Sequence, residues 1–277
     1  MNKNTLIITL SLLLAVYNIT NAQYLWLDSY DSTQSISSRI NVPDGYKRID
    51  IERGSFAHWL RNVPLKDGNP PIYLFDGDKK LNQLANHSII DIDIGDTDLQ
   101  QCADAVIRLR AEYQYSIGFN DSIAFNFTSG DRFEYIDWLN GKTPVINGNN
   151  VNWKQVRPRE NNRTTFMNYL RIVFTYAGSY SLSNELSKID IQDLEIGDVF
   201  VEGGFSGHAM IIIDMTENIE SGERIFLLAQ SYMPAQNIHI VTNPVNWSLS
   251  PWFKADFNNK LYTLEWVFEK DHLMRFK

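Results

Sequence analysis

The last third of the chain restricts the fold most. Apolar runs of strand length at 199–202, 209–214, 224–230, 238–241 and 262–268 are separated by turn residues, among them Gly203-Gly204-Phe205-Ser206-Gly207 and Ser221-Gly222. Connections this short join antiparallel neighbours, so 197–202, 209–214 and 224–230 are expected as sequential strands of an antiparallel meander. Ahead of it the patterning is mixed. Strands are expected at 47–51, 72–75, 89–94 and 122–127, helices at 55–65, 99–115, 132–139 and 165–176, and only strands after that. Helices followed by sheet make an α+β arrangement. The polar stretch 147–162 reads as a hairpin or surface loop, and no repeat, low-complexity tract or Pro/Gly linker interrupts the chain.

The ends of the domain are set by the first residues. Met1 to Ala22 has Lys3 near its front, an apolar stretch at 5–16, and Thr20 and Ala22 at the positions a signal peptidase reads. That order is the pattern of a secretory signal, with the mature protein beginning at Gln23 and exported to the periplasm or the exterior. No later stretch reaches the ~20 apolar residues of a spanning helix, so no integral membrane segment is expected after cleavage. The remaining 23–277 are expected to form one domain, with an N-terminal elaboration at about 23–95 and a core at about 96–277.

Charge narrows the partners. The net charge is −8, and it becomes one unit more negative when Lys3 leaves with the signal. The densest basic cluster, Arg157, Arg159 and Arg163, is short. Neither feature suits nucleic acid, which is not expected as a partner.

Cys102 is the only cysteine, so no internal disulfide can form, and an unpaired thiol in an exported protein calls for an explanation. With Asp98 as N-cap, a helix from 99 places Leu99, Cys102, Val106, Leu109 and Tyr113 on one apolar stripe. Cys102 would then lie about one turn inside the helix. Two readings follow: a small buried hydrophobe, or a thiol made acidic by the helix N-terminus. A facing histidine decides between them.

Five histidines compete for that role, and four lack supporting context. His58 sits in a short amphipathic helix, His87 in a polar turn, His239 in a late strand and His272 near the C-terminus. His208 follows the glycine-rich turn and begins a strand, where a ring can be held at the strand mouth. The next strand ends in Gln230, able to orient an imidazole through its second nitrogen. Cys102, His208 and Gln230 are therefore the candidate nucleophile, base and orienter. Gln101, or Gln100, is a candidate oxyanion donor. The stripe Gln101, Asp104, Arg108 and Glu112 reads first as a solvated face with ion pairs, and alternatively as a cleft wall in which Arg108 or Arg110 holds a substrate carboxylate. His208 with Asp198 or Glu202 could meet at a metal. No His-Glu-x-x-His or paired-cysteine motif supports that, so no metal or cofactor is expected.

These residues resemble the NlpC/P60-like branch of the papain-like cysteine peptidases and amidases. The resemblance rests on Cys102 at a helix start, Gly197-Asp198-Val199 followed by Gly207-His208-Ala209, and a polar residue in the next strand. It implies a papain-like layout, a Cys-His-polar triad, Asp198 as an oxyanion- or substrate-binding residue beside Gln101 and Arg108, and cell-wall peptide or another amide as substrate. In this chain Gln101 and Ala103 flank the cysteine instead of the Asp-Cys-Ser type of run, and the cysteine-to-histidine interval holds a large insertion. Over nearly all the mature chain the sequence is also similar to a family of exported bacterial proteins known only as a domain of unknown function. The segments that carry this include Asp98-Leu99-Gln100-Gln101-Cys102-Ala103-Asp104, Phe125-Asn126-Phe127-Thr128-Ser129-Gly130, Tyr176-Ala177-Gly178-Ser179 and Leu228-Ala229-Gln230-Ser231-Tyr232-Met233-Pro234-Ala235-Gln236. That likeness implies no activity. A non-catalytic secreted module with a buried Cys102 is the alternative to the hydrolase.

Overall fold

The computed structural model describes residues 24–277; the expected signal segment and its cleavage junction lie outside them. The first part of the chain runs α1 (Ile36–Arg39), β1 (Tyr46–Arg48), α2 (Phe56–Arg61), β2 (Asn86–Ile89) and α3 (Cys102–Ser116). Two hairpins bracket a short helix: β3 (Ala124–Asn126) with β4 (Arg132–Glu134), α4 (Tyr135–Leu139), then β5 (Lys142–Asn147) with β6 (Asn150–Gln155). Next come α5 (Arg163–Tyr176), α6 (Ser179–Glu185) and β7 (Ser187–Lys188). The C-terminal part is β8 (Val199–Glu202), β9 (His208–Asn218), β10 (Arg224–Gln230), β11 (His239–Val241), β12 (Phe253–Lys254), β13 (Lys260–Tyr262), β14 (Val267–Glu269) and β15 (Leu273–Arg275).

The main sheet has the order β2-β11-β10-β9-β8-β15-β7, with β1 added to β9 and β12 to β10. Every pairing in it is antiparallel. The fold is therefore α+β, and β8, β9 and β10 are sequential antiparallel neighbours because their short polar turns allow nothing else. β9 and β10 are buried along nearly their whole length, as a central strand pair covered by helices must be. One buried apolar cluster runs from Tyr24 to Met274 and takes in α3, α5 and the inner strands.

Several expectations need correction. α6 follows α5 where only strands were expected: its polar sequence Ser-Tyr-Ser-Leu-Ser-Asn-Glu carries little apolar period, and only Leu182 anchors it in the core. The single strand expected at 262–268 is a hairpin, because Thr263 turns the chain and accepts the Trp266 N–H. The N-terminal part of the described chain contributes to the main sheet through β1 and β2. A buried charge secures that arrangement: Asp214 in β9 accepts from Arg48 at 2.7 Å and Arg61 at 2.6 Å. Among the described residues no helix is long and apolar enough to cross a membrane.

Candidate active site at the mouth of strand β9

Helix α3 starts three residues later than expected. Asp98 does not cap it, because its Oδ1 accepts instead from the Ala235 N–H at 2.7 Å and from Gln101 Nε2 at 2.9 Å, tying the pre-helix segment to the loop after β10. Gln101 is the N-cap, and its own N–H is taken by the Asp104 carboxylate at 3.1 Å. Cys102 is therefore the first helical residue rather than one turn inside. At that position backbone N–H groups lack intrahelical partners and the helix dipole favours an anion.

Three amides converge on the sulfur. The backbone N–H groups of Ala209, Ala103 and Cys102 itself lie toward Sγ and favour its thiolate. The Ala209 amide is free for this because the β9–β10 ladder ends at Ile211↔Ala229. Two residues further on, the same edge of β9 has no strand partner. Cys102 is nonetheless 6% exposed. Burial, then the Asp104 charge, outweigh the three amides and push the thiol up to about 11. Asp104 is itself buried, which holds its carboxyl well above the usual carboxylate range. Its neutral form removes the charge that opposes a thiolate.

His208 opens β9, opposite Glu202 at the end of β8. Its Nε2 is 2.8 Å from Gln230 Oε1, and the ring is packed by Tyr232, Trp266 and Phe268 at centroid separations of 4.9, 5.1 and 5.9 Å. Burial pushes the imidazole down to about 4, against the hydrogen bond to Gln230, and Lys80 adds to the depression. The ring is thus neutral near pH 7. Its Nδ1 has no hydrogen-bond partner among the described residues, and no hydrogen bond joins it directly to Cys102. The chain link is close all the same: the amide on Cys102 Sγ belongs to the residue after His208.

Behind Gln230 lies a polar cluster that the sequence did not reveal. Gln230 Nε2 meets Glu265 Oε2 at 2.8 Å and His239 Nε2 at 3.2 Å. Glu265 in turn is held by Lys80 at 2.8 Å and by Asn82 at 3.2 Å. His239, set aside for want of context, is a member. Lys80 and Glu265 are 185 positions apart, and neither lies in a motif that signals the contact.

A cavity of about 340 Å³ opens beside Cys102, between the start of α3, the α5–α6 junction and the β8–β9 loop. Glycine is what lets the loop close on α6. A Cβ at Gly207 would stand 2.2 Å from Ser179 Oγ and 2.4 Å from the Glu202 carbonyl, and one at Gly203 would stand 2.1 Å from Ser183 Oγ. Exposed Tyr180 and Phe205 stack at the rim with centroids 6.5 Å apart. A larger hollow of about 650 Å³ runs along 243–262, but no cysteine or histidine lines it.

The remaining candidates fall differently. Gln101 lines the cavity, with its amide nitrogen engaged by Asp98. Arg108 is neither solvated nor open to a substrate: it is 1% exposed, and its donors go to Glu112 at 2.6 Å, Gln100 Oε1 at 2.7 Å and Asp93. Arg163 covers the other side of Glu112, which turns the expected surface stripe into a buried ion cluster. Asp198 lies at the opposite end of β8 from His208, bound to Arg275 at 2.7 and 2.9 Å and to the Glu195 N–H at 2.6 Å, so it fixes the C-terminal strand and not the site. Among the described residues, no group of three or more His, Cys, Asp and Glu is placed to hold a metal ion.

No curated protein and no solved structure matches the chain. A family model does match, over residues 36–275, which span every element from α1 to β15 and all the residues of the site. The chain therefore belongs to the family described as Domain of unknown function (4846).

Proposed function

We propose that the protein is a cysteine hydrolase of papain-like layout, cleaving an amide or ester bond with Cys102 as nucleophile, His208 as base and Gln230 as orienter. The observation that carries this reading is the Ala209 N–H on Cys102 Sγ, which brings the first residue of α3 to the strand mouth that His208 opens. The thiol and imidazole are both neutral at rest, so the chemistry starts by general-base transfer rather than from an ion pair. His208 takes the thiol proton as Sγ adds to the carbonyl carbon, and the oxyanion is met by the unpartnered amides at the start of α3. The protonated imidazole then gives its proton to the leaving nitrogen, the C–N bond breaks and a thioester remains. Water adds to the thioester, His208 takes the water proton, and the expelled thiolate recovers it. Export to the periplasm or exterior, suggested by the first 22 residues, makes cell-wall peptide the natural substrate class.

The test is hydrolysis of a panel of muropeptides and peptide amides. Cys102→Ala is expected to abolish turnover with the fold kept, His208→Ala to remove at least a factor of ~100, and Gln230→Ala less, since an orienter is easier to replace than a nucleophile. Full activity in Cys102→Ala would overturn the assignment. A second reading, a non-catalytic secreted module, draws on the burial of Cys102 and its raised pKa; it expects no turnover in any variant.

A further inference from the structure

We propose that Glu265 is a positioning residue that, through the Gln230 amide, fixes His208 as the tautomer protonated on Nε2 and leaves Nδ1 as its basic nitrogen. The proposal deepens the hydrolase reading and rests on it for its catalytic consequence, though the proton arrangement itself does not.

Proton positions in the cluster can be counted from its ends inward. At one end, His239 Nδ1 is 3.0 Å from the Asn237 carbonyl, which can only accept. His239 must therefore carry its proton on Nδ1, and as a neutral ring it has an acceptor at Nε2. Burial, aided by the Lys80 charge, pushes this imidazole down to about 3, with the Asn237 contact opposing, so the ring is neutral. At the other end, both oxygens of Glu265 lie 2.8 Å from the Lys80 ammonium, which can only donate, so this carboxyl group is engaged as an acceptor.

Gln230 lies between these two acceptors. One atom of its amide is 3.2 Å from His239 Nε2 and 2.8 Å from Glu265 Oε2. If that atom were the oxygen, it would face two acceptors and form no bond, so it is the NH₂ group, with one hydrogen for each. The amide oxygen is thereby turned to His208, and an oxygen at 2.8 Å requires a donor at His208 Nε2. A neutral ring with Nε2–H has its lone pair on Nδ1. Reversing the amide would leave the cluster's buried groups facing like partners, at a cost of several hydrogen bonds at once. Lys80 is the charged group that acts on the His208 imidazole and Tyr232 the titratable group packed on its ring, while Glu265 and His239 reach it through Gln230.

The test is long-range proton–nitrogen NMR on the full protein labelled with ¹⁵N-histidine, which reads the tautomer of each ring without any substrate. Wild-type protein at neutral pH is expected to give His208 as a single Nε2–H tautomer and His239 as a single Nδ1–H tautomer. In the double variant Lys80→Met with Glu265→Met, which removes both charges together, His208 is expected to lose its single state and show the second tautomer. An Nδ1–H or doubly protonated His208 in the wild-type protein overturns the proposal, with or without a foldable variant. A folded double variant in which the tautomer is unchanged assigns the orientation to His239 alone and likewise overturns the role of Glu265. Absence of hydrolysis would refute the catalytic reading and leave these spectra unaltered.

Discussion

His208 and His239 are pushed down to about 4 and about 3 by burial, while Asp104 is pushed up by the same cause, so the three groups act on stability with opposite signs. A buried neutral histidine has a folded pKa below its unfolded value near 6.5; the unfolded chain takes the proton first, and stability falls as pH drops from about 6.5 toward 4. A buried acid with a raised pKa behaves in reverse: its contribution is fully present below the unfolded value near 3.8 and is lost as pH rises toward its folded pKa. Asp104→Asn keeps the acceptor for the Gln101 N–H and removes that loss. The variant is expected to be more stable than wild type at pH 7, because it no longer carries a group whose burial favours the protonated form, and to lose the advantage toward pH 4. Urea midpoints at the two pH values check it; an equal or lower midpoint at pH 7 would mean that the Asp104 carboxylate is stabilised by contacts absent from this structure.

At the scale of elements, the meander was readable and the start of α3 was not, for one physical reason. β8, β9 and β10 are coded locally, by apolar runs and turn residues next to one another in sequence. Asp98 looked like an N-cap because cap preference is also local, but its carboxylate is claimed by the Ala235 amide 137 positions away. The same holds on the far face of α3. Arg108 and Glu112 have the spacing of a surface pair, and only packing against Gln100, Asp93 and Arg163 buries them. Since a buried charge stripped of its partner is expensive, Glu112→Ala is expected to cost roughly 3–5 kcal/mol in a denaturation experiment, well beyond the ~0.5 kcal/mol of an exposed helix pair. A loss within that smaller range would show that Arg108 reaches solvent.

Across the whole molecule, the site gathers Lys80 from the connection before β2, Cys102 from α3, His208 and Gln230 from neighbouring strands, and Glu265 from the β13–β14 turn. Sequence could propose Cys102, His208 and Gln230, since each stands at a recognisable helix start or strand end. It had no means of proposing Lys80 or Glu265, which acquire a role only when the sheet brings the β13–β14 turn against Gln230. The sheet thus does for the site what a motif does elsewhere: it holds groups remote in sequence at fixed separations.

The central claim, that Cys102 and His208 work as a pair, is tested most directly by the rate of Cys102 alkylation as a function of pH, followed by mass spectrometry on native protein and on His208→Ala. Paired groups predict alkylation of the native thiol at pH values well below the ~11 to which its surroundings push it, along a titration that follows His208, and a rate at pH 7 at least ~10-fold lower in His208→Ala. A native thiol that stays inert until the protein unfolds, with the same profile in His208→Ala, would contradict the account and leave Cys102 as a buried residue of the core.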